Sequence, residues 1–126
     1  MALEAALSLR VLIIHEHTEQ GHRWAWLAQT LGCDSVVVPN RAAALSALDG
    51  AAPDAVLVSL TLPEHAFDVA RELRAKLELH PVRFIGLSRV PTDLPLMPPF
   101  DAWLKTRGEV DAVRTALGLD RRRRQP

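Results

Sequence analysis

The sequence has a single cysteine, Cys33, in 126 residues. One thiol excludes an internal disulfide framework and a cysteine-built zinc site, and it fits a reducing compartment. Charge of either sign is not in excess: 15 basic residues balance 15 acidic ones. Nucleic acid or an anionic membrane surface is therefore not the expected partner. No apolar run approaches the roughly 20 residues that cross a bilayer, and "MALEAALSLR" lacks the basic flank and long apolar core of a secretory signal. A cytoplasmic protein is expected. Also missing are internal repeats and a glycine-rich phosphate loop, since "HEHTEQG" carries one late glycine.

What is present is a chain 48% hydrophobic and 24% charged, enough for one domain with a proper core. "RVLII" (10–14) is a continuous apolar run of the kind found in strands buried on both faces. Thr18 is placed to cap the next helix, whose stripe is Trp24, Leu27, Ala28 and Leu31, and Gly32 ends it. "DSVVV" (34–38) reads as the second strand. Asn40 is an expected N-cap for "RAAALSALDG". "PDAVLVS" reads as a third strand. A helix follows from Pro63, with Ala66, Val69, Ala70, Leu73 and Leu77 inward and Glu72 paired with Lys76. "VRFIGLS" (82–88) is a fourth strand, "FDAWLK" (100–105) a fifth, and "EVDAVRTALGL" a last helix with Val110, Val113 and Leu117 inward. This alternation predicts βαβ units around a parallel sheet. One helix is out of place: "RVPTDLPLMPP" (89–99) holds four prolines, so the helix expected between strands four and five is missing or shortened. Leu94, Leu96 and Met97 are expected to pack over the sheet edge there.

Four segments, in order, resemble the receiver domain of two-component response regulators: "RVLIIHEH", "PDAVLVSLTLP", "VRFIGLS" and "FDAWLK". The resemblance spans roughly residues 9–118. It implies a flavodoxin-like, doubly wound α/β fold with five parallel strands in the order 2-1-3-4-5. It divides the chain into an N-terminal extension (1–8), a receiver-like domain (9–119) and a basic tail (120–126).

The resemblance also implies a pocket. A receiver takes a phosphoryl group onto an aspartate ending strand three. Two acidic residues after strand one help that aspartate hold Mg²⁺, a hard cation that prefers oxygen ligands. A lysine and a Ser or Thr meet the phosphate. At the matching positions this chain has His15 and Glu16, then Ser59 as the acceptor position, Ser88 as the hydroxyl, and Lys105 a residue early, followed by Thr106 instead of proline. The loop after Ser59 is a residue short and lacks the usual glycine. One of three carboxylates is kept, and a serine hydroxyl is a weak nucleophile without a base. The expected reading is a degenerate pseudo-receiver: not an enzyme, with no cofactor, no metal beyond the weak remnant Glu16, and no membrane role. It would act in signal transduction by contact with a protein partner or a second copy.

Two rival readings use the same residues. An atypical receiver could still phosphorylate Ser59, with His15 as base, in a phosphorelay; alternatively, the vacated pocket could hold a small ligand. His15, His17, His22 and His65 have no spacing diagnostic of a metal, and loop residues at the sheet's C-terminal edge are the plainer account. Trp26 falls off the stripe of the first helix and is a candidate contact anchor. Leu94, Leu96, Met97 and Trp103 are further contact candidates. The run "RRRR" (121–124) is expected to be a solvated tail.

Overall fold

The computed structural model describes residues 9–88, 95–105 and 110–119. Five strands, β1 (Arg10–Ile14), β2 (Asp34–Val38), β3 (Ala55–Ser59), β4 (Arg83–Ser88) and β5 (Ala102–Lys105), form one parallel sheet in the order β2-β1-β3-β4-β5. The described helices are α1 (Thr18–Thr30), α2 (Arg41–Ala47), α3 (Ala66–Lys76) and α4 (Val110–Ala116). This is the flavodoxin-like receiver fold expected from the sequence.

The central strands are apolar on both sides because each side has a helical layer to bury. Ile13, Leu57 and Ile85 pack with Trp24, Leu27 and Ala28 of α1 and Val113 of α4. Ile14, Val56, Val58 and Phe84 pack with Ala44 of α2 and Val69, Ala70 and Leu73 of α3. Arg83 ties α4 to the sheet by donating from Nε to the carbonyl of Ala116 at 2.6 Å. No described helix is long and apolar enough to cross a membrane.

Local details differ from the sequence reading at Thr18 and Glu72 and agree with it at Asn40. Thr18 is the first residue of α1 and not its cap; His17 holds the N-cap position without a side-chain bond. Asn40 does cap α2, its side chain accepting from Ala43 N at 2.9 Å. Glu72 pairs across elements with Arg41, at 2.6 and 2.7 Å, a bidentate geometry that a lysine one turn away cannot offer.

Residues 95–101, on the way to β5, carry no helix; residues 89–94, including Leu94, lie outside the described residues. Leu96 and Met97 do not pack down as expected; both are about half exposed, while Phe100 is buried. Arg74 explains the difference. Its guanidinium donates to the Pro99 carbonyl (2.6 and 3.1 Å) and to Asp101 Oδ2 (2.8 Å), and lies 4.6 Å over the Phe84 ring. Asp101 Oδ2 also accepts from Phe84 N at 2.9 Å. The segment is thus pinned at Pro99–Asp101, and Phe100 is the side chain turned inward.

Candidate functional site

The C-terminal ends of β1 and β3 are neighbours in the sheet, with Ile14 beside Val58. The residues just beyond them therefore converge where open α/β sheets place their sites. His15 and Ser59 are both buried, at 3% and 1% exposure, and Glu16 is half-buried beside them. Of the expected pocket residues, these three come together.

A fourth member, Thr61, was not anticipated. Its hydroxyl donates to Glu16 Oε2, and it sits 2.9 Å from Ser59 Oγ. A carboxylate only accepts, so the one proton on Thr61 is committed to Glu16. The bond between the two hydroxyls must then run from Ser59 to Thr61. Thr61 N also donates to Ser59 Oγ at 3.3 Å, closing a serine turn at the strand end. The sequence signal was Ser-x-Thr after a buried strand, which marks a turn but not a carboxylate partner.

His15 Nδ1 accepts from the His17 N–H at 3.0 Å and lies 3.3 Å from Glu16 Oε1. One nitrogen cannot accept from His17 and donate to Glu16 together. The shorter contact is to His17, so in this geometry Nδ1 turns its lone pair to that N–H. Consistently, Glu16 Oε1 is buried without a hydrogen-bond partner. Burial works to raise the Glu16 pKa. The bond from Thr61, its own backbone N–H, the nearby hydroxyl of Ser59 and lastly the charge His15 can carry outweigh that and hold it below the ordinary value of 4.5.

Ser88 and Lys105 end β4 and β5 as register partners. Ser88 is half-buried and Lys105 exposed. No hydrogen bond or ion pair joins Lys105 to Glu16 or Ser59 among the described residues. Trp103, expected as a contact residue, turns inward. Its ring packs against Phe67 and Phe100, and a Cβ on Gly86 would lie 2.5 Å from its Cε3 and Cζ3 atoms. The missing side chain of Gly86 is the space the indole fills. Its Nε1 is buried without a partner. Trp26, by contrast, is 62% exposed.

These donors do not suit Mg²⁺. One carboxylate, already bonded to a hydroxyl, stands with a serine and an imidazole, where a hard cation prefers several anionic oxygens. Among the described residues no group of three or more His, Cys, Asp or Glu is arranged to hold a metal. Grooves of about 300, 470 and 520 Å³ lie elsewhere, and none is lined by His15, Glu16 or Ser59.

The fold is that of CheY-like receiver domains. Among solved structures the chain is similar to a CheY-like response regulator receiver domain from Methylobacillus flagellatus (TM-score 0.79, 23% identity, covering 89% of this chain and 98% of that one). It is similar also to a sensor protein from Polaromonas sp. JS666 (TM-score 0.76, 20% identity, 88% and 94%). A third is the receiver domain of a Saccharomyces cerevisiae response regulator, crystallised with its histidine phosphotransfer protein (TM-score 0.72, 13% identity, 87% and 86%). No protein-family model matches the sequence, and no curated protein matches it significantly.

Proposed function

We propose that this chain is a receiver-like regulatory module that works without phosphorylation, through contact with another protein chain. The observation that carries this is at the end of β3. The acceptor position is Ser59, 1% exposed, its proton directed to Thr61 and its neighbouring carboxylate engaged by the same threonine. A hydroxyl so buried has no approach for a phosphodonor and no free base beside it. Regulation would then reside in which chain binds; a receiver domain of this fold from yeast was crystallised with a histidine phosphotransfer protein. Residues 9–119 are the unit proposed to do this.

The test is incubation with a small phosphodonor and Mg²⁺, read by intact mass. We expect no gain. A gain of one phosphoryl group that Ser59→Ala abolishes would establish the atypical-receiver reading instead.

A further inference from the structure

We propose that two copies of this chain associate through the outer edge of β2, their sheets joining antiparallel about Val36. This rests on the contact-driven function above and adds the surface and the occupant.

β2 is the terminal strand of the sheet. Asp34 N donates to the Leu9 carbonyl at 2.8 Å, and the Val38 carbonyl accepts from His15 N at 3.0 Å, so both ends of the strand face β1. Backbone polar groups alternate in direction along a strand. Val36 therefore also faces β1, while the N–H and C=O of Ser35 and Val37 point outward. Edges that stay single are blunted by lysine, proline, a bulge or a cover. "DSVVV" has none of the first three: its only charge is Asp34, and its register with β1 is regular through every position.

An exposed apolar side chain flanks this edge on one face. Val36 is 55% exposed and rims the groove of about 300 Å³ lined by Ala47, Leu48 and Pro53. On the other face, Ala25 and Gln29 of α1 meet Ser35, at 3.5 Å to its hydroxyl from the Ala25 carbonyl and 2.9 Å from Gln29 Nε2.

The edge is its own complement. Pairing about Val36 sets Ser35 of each copy opposite Val37 of the other. Such pairs exchange both backbone bonds, so every outward group of Ser35 and Val37 is satisfied at once in both copies. Val36 then meets Val36 at the close non-hydrogen-bonded position, apolar against apolar, and Asp34 falls opposite Val38, so no like charges are opposed. The two-fold axis stands perpendicular to the sheet. Both α1 helices therefore lie on one side of the joined sheet, an isologous arrangement.

The full chain, followed by sedimentation velocity from low to high micromolar, is expected to form a reversible dimer. Val36→Lys sets two ammonium groups opposite each other on an already exposed site. It should raise the dissociation constant at least about tenfold with unchanged circular dichroism. Val36→Cys should form a disulfide-linked dimer under mild oxidation, because Cα atoms at that pairing lie about 4.5 Å apart, within disulfide reach. Leu79→Cys, 90% exposed elsewhere, sets the level of random cross-linking. Wild-type protein that stays monomeric throughout, a Val36→Lys dimer as tight as wild type, or Val36→Cys no more reactive than Leu79→Cys would overturn the proposal. A strand from another protein seated on a monomeric chain would overturn it too. The phosphodonor experiment reads independently: a phosphoryl gain sinks the phosphate-free reading and leaves the edge contact standing.

Discussion

At the scale of single residues, Glu16 is the group whose chemistry is most altered by its surroundings. Its pKa lies below the ordinary 4.5 because hydroxyl and backbone donors favour the charged form over the cost of burial. A carboxyl depressed on folding contributes stability that is fully present above its unfolded value, near 4.5, and lost as pH falls through the lower folded value. Glu16→Gln should therefore be less stable than wild type at pH 7, with the two curves converging in acid. Urea unfolding at a series of pH values checks this, and a constant difference down to the lowest pH would refute it. His65 is a second such residue. It enters α3 at φ 65°, ψ 100°, where a side chain is strained and glycine is not. His65→Gly should raise stability by about 1 kcal/mol, measurable by the urea midpoint. The sequence registered this strain only as a missing loop glycine. It also named His15, Glu16 and Ser59, because strand ends can be read from apolar runs. It could not name Thr61, whose role depends on a turn that folds its hydroxyl back onto a carboxylate 45 positions away in the chain.

Among the elements, the approach to β5 shows where reading from sequence stops. Four prolines announced that a regular helix would not form. Which side chain would be turned inward could not follow from hydrophobicity, since Leu96, Met97 and Phe100 are all apolar. Arg74 and Asp101 decide it, through bonds that bridge 25 and 27 positions. The Arg74–Asp101 pair is itself well exposed and worth at most about 1 kcal/mol; the bonds to the Pro99 carbonyl add to it. Arg74→Ala should cost about 1–2 kcal/mol and speed amide exchange at Phe100 and Asp101, whose N–H groups are bonded to Met97 and Phe84 carbonyls. Arg74→Lys should rescue little, because an ammonium cannot span the carbonyl and the carboxylate as a planar fork does. Equal protection in wild type and Arg74→Ala would count against the clamp.

For the molecule as a whole, one sheet serves both helical layers, so the two layers should not unfold separately. Ile13 and Ile14 are chain neighbours, each fully buried, yet they point into opposite layers. Ile13→Ala and Ile14→Ala should each cost about 2–5 kcal/mol and each shift the same single transition by circular dichroism and by tryptophan fluorescence. Separate transitions by the two probes would contradict a shared core. This scale was the most legible from sequence, because alternating apolar runs and amphipathic stretches leave few topologies that bury both sheet faces. The bare α-carbon at Gly86 sets a condition for anyone rebuilding a phosphate-responsive protein from this chain. Ser59→Asp would place a carboxylate at the strand end, but the indole of Trp103 would stay lodged on its glycine floor. A design that alters the strand end therefore has to reckon with the Gly86–Trp103 contact as well, because enlarging residue 86 would collide with the indole.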